Sequence, residues 1–251
     1  MTARAVARRV AWLYQDDLLR DVGVLQVSSG WRDALGATRS LKIGPATPRS
    51  ETDAFVLGLA RARADAIVTT GRILREEPST RHALGGAEAL DLAAWRRDLL
   101  GRPDPPRSVV LTSGREIDWS HPLFRGPRPV LVFTGERAAK ELGDAARAVG
   151  AQLIAHPEPS LGALLSYLRD LPDMRTVLLE VGPDTVRSVY TTPSPVQEWM
   201  LSVHLADQIP QAVLGAPWPG PEQRRAAGLE LLSERRVEEE DGSVWLFQRF
   251  A

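Results

Sequence analysis

Short runs of apolar and β-branched residues alternate along the chain with segments in which apolar residues recur every three or four positions. The first pattern predicts β-strands and the second predicts helices that face a core. Helical stripes cover residues 55–62, 138–149 and 161–168. The predicted strands are 23–27, 65–69, 108–112, 129–134, 152–155, 176–180, 199–204 and 244–249. Such alternation requires crossover connections, so the pattern predicts an α/β fold with a mostly parallel central sheet and helices on both faces.

Two regions depart from this rhythm. No helix of ordinary length precedes the last strand, so the segments 199–204 and 244–249 predict antiparallel strands at the C-terminal edge. Residues 82–106 are loop-like, with a glycine pair at Gly85-Gly86 and a proline-rich exit. Apolar residues spaced along 92–99 indicate one amphipathic helix inside this excursion.

The organisation that follows is one domain with an appendage. We expect an N-terminal helical extension over residues 1–22 and a single domain over residues 23–251, with the excursion at about 82–106. At 251 residues the chain is long enough to bury a full core without metal or disulfide staples.

Composition excludes several classes of function. The chain has no cysteine, which removes disulfides, cysteine-ligated metals and thiol nucleophiles, so any redox chemistry needs a bound cofactor. The 31 basic residues balance 32 acidic ones, so we expect no nucleic-acid partner. No apolar run approaches the roughly 20 residues that span a bilayer. Residues 2–13 lack a signal peptide's apolar centre, although their arginines leave a transit peptide open; we expect a cytoplasmic protein without a membrane partner.

One strand-to-helix turn has the pattern of a phosphate site. A buried strand runs into Glu180, and Gly182 then precedes Pro183, a residue suited to the first position of a helix. The free amides of a helix start at the carboxyl edge of a parallel strand can hold a phosphate without a basic side chain. A routine turn has the same local sequence, and Glu180 is equally compatible with a solvated strand end.

A second strand end offers polar groups at the same predicted edge. The apolar run 65–69 is followed by Thr70, Gly71 and Arg72, and then by a short helical turn that contains Glu76. Polar residues at the carboxyl ends of adjacent parallel strands converge on one crevice. An arginine there can grip a phosphate through its planar fork, although a single arginine is also typical of a solvated surface.

Other catalytic signatures are missing from the sequence. The four histidines occupy unrelated contexts, without the HExxH or GxSxG pattern of hydrolases. The dinucleotide fingerprint GxGxxG and the P-loop are also absent, and the sequence indicates no metal site. No residue is clearly placed as a proton donor, so the catalytic residues stay unknown at this point.

The order of three motifs resembles a known family. They are the Ala64–Ile67 strand (ADAI) with its Gly turn and acidic-acidic-Pro sequence, the VVLTS strand that ends at Ser113, and the Glu180-x-Gly182-Pro183 turn. In this order they resemble the riboflavin-biosynthesis reductases, the C-terminal domain of the bifunctional deaminase-reductase, over nearly the whole chain. The resemblance implies a dihydrofolate reductase-like fold and an NADPH-dependent reduction of a ribosylamino-pyrimidine 5'-phosphate to its ribitylamino form.

The resemblance also implies the site residues and the partners. Substrate-binding positions would be Glu180, Arg61, Arg81 and Ser28. Cofactor-binding positions would be Gly182, Pro183, Asp184, Thr185, Ser188, Ser113, Arg72, Glu76, Thr70 and Gly71. The expected partner is a small phosphorylated pyrimidine riboside, and members of the family commonly pair as homodimers, for which the 199–204 strand together with the closing strand 244–249 offers a self-complementary surface.

Departures from the family pattern keep two alternatives open. The family's Ser-x-Asp-Gly turn after the first strand reads Ser28-Ser29-Gly30 here, and Asp184 places a negative charge where a diphosphate would approach. These changes are compatible with an oxidoreductase of the same fold acting on a different small substrate, or with a non-catalytic descendant that serves as a binding module. The zinc deaminase signature needs cysteines, so any activity is reduction alone.

Overall fold

The computed structural model describes residues 2–33, 35–84, 87–114 and 117–251. The strands are β1 (Gly23–Arg32), β2 (Thr38–Leu41), β3 (Ala66–Thr70), β4 (Arg107–Leu111), β5 (Leu131–Gly135), β6 (Gln152–His156), β7 (Thr176–Leu179), β8 (Glu198–Leu205), β9 (Leu214–Pro217), β10 (Leu231–Glu238) and β11 (Val244–Phe250). The α-helices are α1 (Ala3–Tyr14), α2 (Glu51–Arg63), α3 (Gly71–Glu76), α4 (Ala89–Leu100), α5 (Glu136–Ala148), α6 (Leu161–Arg169), α7 (Pro183–Val186) and α8 (Pro221–Ala226). The glycine pair Gly85-Gly86 lies outside the described residues.

One sheet carries the whole domain, in the order β10-β11-β8-β1-β7-β3-β4-β5-β6. From β8 to β6 neighbouring strands are parallel, which confirms the predicted class. The antiparallel C-terminal pairing is also confirmed, because β11 runs antiparallel to β8 and to β10. Two short strands form an antiparallel side branch: β2 pairs with residues 30–32 at the C-terminal end of β1, and β9 pairs with β2.

The position of β8 corrects one expectation. Strand β8, which contains the predicted 199–204 segment, lies inside the sheet between β1 and β11. Residues 198–204 are buried within one chain. This segment therefore offers no surface to a second copy, and the outer strand on this side is β10, which the sequence pattern did not indicate.

Alternation along the strands divides the core between the two faces of the sheet. Val177 and Leu179 of β7 pack with the apolar stripe of α6, whereas Leu178 points to the opposite face and joins the cluster of α2. Successive side chains of a strand point to opposite faces, so a strand covered on both sides is apolar throughout. The continuous run 176–179 is the sequence signature of that arrangement.

The N-terminal helix is part of this core. Val6, Val10, Leu13 and Tyr14 of α1 are buried in the same cluster as residues of α2 and α4. Their spacing places them on one helical face. Helix α4 confirms the predicted helix in the 82–106 excursion, and its Trp95 is fully buried in that cluster. The N-terminal segment and the excursion thus cover one face of the sheet together.

A buried ionic network ties the ends of the chain to the middle of the sheet. Glu198 is completely buried and accepts hydrogen bonds from Arg63 of α2 and from Arg249 of β11. Arg249 reaches further to Asp16, with 2.8 Å between Nη1 and Oδ2. Burial disfavours the charge of Glu198, but the two guanidinium groups hold its pKa below the ordinary value. The network joins α1, α2, β8 and β11.

Removal of the central carboxylate should be costly. We expect Glu198→Gln to lower the free energy of unfolding at neutral pH by about 3–5 kcal/mol, because two buried arginines lose their counter-charge. Urea unfolding measures this loss. The control is Glu141→Gln, which breaks an exposed pair with Arg137 and should cost less than about 0.5 kcal/mol. Equal losses in the two variants would show that the buried network contributes nothing special.

Candidate active site

The main cavity lies where a central strand stops early. Strand β7 pairs with β1 only as far as Gln26 and with β3 only as far as Val68. Beyond Leu179, β1 and β3 continue without β7 between them, and a crevice of about 710 Å³ opens in the gap. Its position at the carboxyl ends of parallel strands is the usual place for a ligand in an open α/β sheet.

Each wall of the crevice comes from a different element. Ser28 and Ser29 of β1 form one wall, Thr69 and Thr70 of β3 form the other, and the chain after β7 forms the floor. The predicted site residues that line it are Ser28, Arg61, Thr70, Arg72, Glu76, Arg81, Glu180, Gly182, Pro183, Asp184 and Thr185. The sequence thus identified a set of residues that the fold brings to one cavity.

Three predicted residues lie outside the lining. Gly71 is buried at the start of α3, where an added Cβ would come within 2.9 Å of the Thr112 hydroxyl. This glycine therefore allows close packing of helix against strand. Ser113 is exposed after β4, and the Ser188 hydroxyl donates a 2.8 Å hydrogen bond to the Thr185 carbonyl. Their predicted contacts with a cofactor remain predictions.

The Gly182-Pro183 turn begins a single turn of helix at the crevice floor. Gly182 is the N-cap of α7 and Pro183 is its first residue, as the sequence pattern predicts. A Cβ added to Gly182 would meet no atom within 4 Å, so the glycine borders open space. Pro183 has no N–H, and the amides of Thr185 and Val186 both donate to the Gly182 carbonyl at 3.1 Å. Within the described turn, the amides of Gly182 and Asp184 are therefore the backbone donors that remain next to room for a ligand.

Charges at the rim are arranged around Arg72. Its Nε donates to Glu76 at 2.7 Å, and its Nη1 lies 3.6 Å from the Asp184 carboxylate across the crevice. These groups raise the pKa of Arg72, with the Glu76 hydrogen bond as the main cause. All three side chains are more than half exposed, so solvent screens the pairs strongly. The negative charge of Asp184 is thus partly balanced by a neighbour on α3.

An ion pair closes the floor between α2 and the end of β7. Arg61 donates from Nε and Nη2 to the two oxygens of Glu180, both at 2.7 Å, and its Nη1 bonds the Ala83 carbonyl at 3.0 Å. Burial disfavours both charges, yet the pairing lowers the pKa of Glu180 and raises that of Arg61. The geometry is the bidentate fork that arginine forms with carboxylates. Arg61 is a buried partner of Glu180 rather than a surface residue.

Two further groups lie beside this pair. Glu77 lines the cavity, and burial raises its pKa despite a 2.8 Å hydrogen bond from the Thr80 hydroxyl. The His82 ring shares a 3.0 Å hydrogen bond with Ser108 behind the lining. Burial lowers the pKa of His82 to about 4. The imidazole is therefore neutral at physiological pH and acts as a packed polar group.

Sequence reasoning missed two carboxylates of the lining, Glu77 and Asp53. Asp53, in the first turn of α2, lines the crevice and accepts from the Ser29 hydroxyl at 2.8 and 2.9 Å. Burial raises its pKa against the opposing effect of the Ser202 and Ser29 hydroxyls, and the charge of Glu239 raises it further. The only local signal was Ser50 three residues earlier, which is typical of a helix cap and gives no hint of a site.

The branch of β2 and β9 forms the remaining wall, which the sequence analysis also missed. Lys42 and Ile43 line the cavity after β2, and Trp218 lines it after β9. The Trp218 indole donates a 3.1 Å hydrogen bond to the Ser29 carbonyl, which fixes this wall to β1. An aromatic body with a single polar handle is common in ligand cavities.

The described residues contain neither a membrane-spanning helix nor a cluster of metal-ligating side chains. No helix in the described ranges is both long and apolar enough to cross a membrane. Within the same ranges, no group of three or more His, Asp or Glu side chains is arranged to hold a metal ion.

Comparisons with known proteins relate the fold to one group of enzymes. No protein-family model matches the chain, and no curated protein matches it. A pyrimidine reductase-like protein from Corynebacterium diphtheriae superposes with a TM-score of 0.67 at 21% identity, covering 100% of this chain and 98% of that one. The riboflavin biosynthesis reductase Rib7 from Saccharomyces cerevisiae gives a TM-score of 0.58 at 14% identity, covering 98% of this chain and 99% of its own.

A third structure shows how this chain relates to a longer one. RibD from Acinetobacter baumannii superposes with a TM-score of 0.61 at 18% identity, over 91% of this chain but only 57% of its own length. The structural neighbours are thus riboflavin-pathway pyrimidine reductases, in agreement with the resemblance in sequence. The chain has their dihydrofolate reductase-like fold.

The lowered pKa of His82 predicts that the free energy of unfolding decreases at acidic pH. The unfolded chain binds a proton at His82 below pH 6.5, whereas the folded chain binds it only near pH 4, so stability falls as the pH drops through this window. We expect the wild type to lose up to about 3 kcal/mol more than His82→Gln between these pH values. Urea unfolding of both proteins across the window tests this, and parallel pH profiles would contradict it.

Proposed function

We propose that the protein is a reductase that uses NADPH to reduce a small phosphorylated pyrimidine riboside, converting a ribosylamino group to a ribitylamino group. The observation that carries the proposal is the crevice at the end of β7, where open space above Gly182 adjoins the amides of Gly182 and Asp184 at the start of α7. Its volume of about 710 Å³ is within the range of cofactor sites. The fold of the neighbouring reductases supports the same assignment.

The crevice has groups suited to a dinucleotide. The amides of Gly182 and Asp184 and the Thr185 side chain would hold the diphosphate, because anions bind to the free amides at a helix start. Arg72 would bind the anionic end of the cofactor by exchanging its contacts with Glu76 and Asp184. We assign the other cofactor positions expected from the sequence to the same ligand: Pro183, Ser188, Ser113, Thr70 and Gly71.

The substrate would occupy the inner part of the crevice. Glu180, held in one orientation by Arg61, would accept from the amino groups of a pyrimidine, and Ser28 would bond a hydroxyl of the sugar. Arg61 already has three hydrogen bonds, so the substrate phosphate falls to the exposed Arg81 and to Lys42. When bound, the reduced nicotinamide would supply a hydride. The protein would orient the substrate and the cofactor and would exclude water from the crevice.

The bonding of Arg61 favours a second candidate function. An enzyme of this fold and cofactor could act on a different small substrate, because the guanidinium of Arg61 is bonded to Glu180 and is not free to bind a phosphate. A non-catalytic binding module is the remaining alternative. Turnover of the ribosylamino-pyrimidine phosphate supports the first candidate, NADPH binding without turnover supports the second, and no binding of NADPH or NADH supports the third.

We further propose a cytoplasmic homodimer. Strand β8 is interior, so the strand available for pairing at that side of the sheet is β10. An edge strand presents unpaired backbone groups that a second copy can use. The self-complementary surface would then lie on β10 and not on the 199–204 segment.

The dinucleotide site can be tested with two glycines of equal local context. Gly182→Leu places a side chain in the open space of the crevice, and we expect the Kd for NADPH to rise about tenfold or more, as measured by calorimetry. Gly220 also precedes a proline at a helix start, has open space and lies outside the cavity. Gly220→Leu should leave the Kd unchanged. Equal effects of the two substitutions would reject the site.

A further inference from the structure

Among the carboxylates of the crevice, Asp53 has a distinct environment. Glu180 is paired with Arg61, while Glu76 and Asp184 flank Arg72 at the exposed rim. Within the described part of the chain, the Asp53 carboxyl group forms no ion pair, and its side-chain hydrogen bonds are with the Ser29 hydroxyl. A carboxyl group removed from water without a counter-charge favours its neutral, protonated form.

The contact with Ser29 fixes the orientation of the Asp53 carboxyl group in either protonation state. The Ser29 oxygen lies within hydrogen-bond distance of both carboxyl oxygens, at 2.8 and 2.9 Å. An ionised Asp53 accepts the single serine hydrogen, and this bond opposes the effect of burial on the pKa of Asp53. A protonated Asp53 keeps both contacts, because its O–H donates to the serine oxygen while the serine hydrogen bonds the second carboxyl oxygen.

The groups that face Asp53 from other elements do not supply a positive charge. Tyr14 of α1 has a buried hydroxyl that makes no hydrogen bond within the described residues; burial raises the pKa of Tyr14, and the charge of Asp53 raises it further. Ser202 of β8 supplies a further hydroxyl, and Glu239 after β10 supplies a negative charge. Glu239 is in turn held by the Ser50 hydroxyl and the Thr52 amide at the start of α2. Every neighbour is therefore neutral or acidic.

Other titratable groups near the site are less suited to hold a proton for the substrate. Glu77 lies beside the Arg61 guanidinium and accepts a hydrogen bond from Thr80. His82 is neutral and bonded to Ser108 behind the cavity wall. The Glu180 charge is fixed by its ion pair. Asp53 is the carboxyl group of the lining that combines access to the crevice with hydroxyl partners alone.

From this geometry we infer that Asp53 is the proton donor of the reduction, with Ser29 as the residue that orients it. The inference rests on the proposed function and adds the residue that the sequence did not reveal. In its role Asp53 would touch the substrate nitrogen of the C=N bond that is reduced. Ser29 acts through Asp53 and is a positioning residue.

The reaction balances with groups already named. A hydride from the reduced nicotinamide forms the new C–H bond at the imine carbon, and the nicotinamide is oxidised by two electrons. The C=N π pair moves to nitrogen, which takes the proton from the Asp53 carboxyl as its O–H bond breaks. Solvent then returns a proton to the carboxylate. The substrate is reduced and gains one hydride and one proton.

The protonation state of Asp53 can be measured without turnover. Carbon-13 NMR of protein labelled at aspartate carboxyl groups should show one resonance that titrates above the ordinary aspartate pKa, and this resonance should be missing from Asp53→Asn. A carboxyl that is fully ionised through the mildly acidic range would overturn the inference, whether or not the protein is a reductase. Ser29→Ala should raise the titration midpoint, because the carboxylate loses a hydrogen bond.

Kinetics then tests the role. The protonated form is the active one, so kcat should be highest at low pH and fall as the pH rises through the Asp53 pKa. We expect Asp53→Asn to lower kcat about 100-fold and to remove this pH dependence while the Kd for NADPH stays unchanged. Asp53→Glu should restore part of the pH profile. Asp144→Asn, at a fully exposed carboxylate on α5, is the matched control and should behave as wild type.

The outcomes separate this inference from the proposed function. A wild-type protein that does not oxidise NADPH overturns the proposed function and the donor role with it. Oxidation by the wild type with the rate and pH profile retained in Asp53→Asn overturns the donor role alone. Loss of the pH dependence in Glu77→Gln instead would also overturn it, because Glu77 is the competing carboxyl in the same cavity.

Discussion

The early end of β7 is the constraint on which the site depends. A strand of four residues lies between β1 and β3, and both neighbours continue after it has ended. The chain that leaves β7 must turn at once, and the Gly182-Pro183 pair makes that turn with the first residues of α7. Hydroxyl-bearing residues on the two outer strands then face one another across the gap. A longer β7 would fill the crevice with backbone.

Most charged side chains of the crevice are already engaged in ion pairs with one another. Arg61 and Glu180 satisfy each other at the floor, and Arg72 serves two carboxylates at the rim. A ligand that enters must exchange such contacts for its own or use groups that have no ionic partner. Asp53 belongs to the second kind, since its side-chain hydrogen bonds are with the neutral Ser29 hydroxyl. The ion-paired side chains thus define the shape of the crevice, whereas a carboxyl group without an ionic partner can react with a bound ligand.

Sequence reasoning succeeded where the signal is local. The apolar runs predicted every parallel strand and β11, because most of these strands are buried on both faces, although the edge strand β6 is partly exposed. It missed β2 and β9, which are too short to show a period, and β10, whose exposed charged residues are typical of an edge. The Glu180–Gly182 turn could be recognised from its own residues. The bond from Arg61 to Glu180 spans 119 positions, and Asp53 carries only the signature of a helix start, so neither was visible before folding.

The placement of β1 has a consequence for synthesis of the protein. This strand emerges early from the ribosome, but its sheet neighbours β7 and β8 begin at Thr176 and Glu198. The bond between Asp16 and Arg249 closes a separation of 233 positions. Contacts this distant in sequence slow folding and leave apolar strands exposed in the meantime. The nascent chain therefore cannot complete the centre of its sheet until translation is nearly finished.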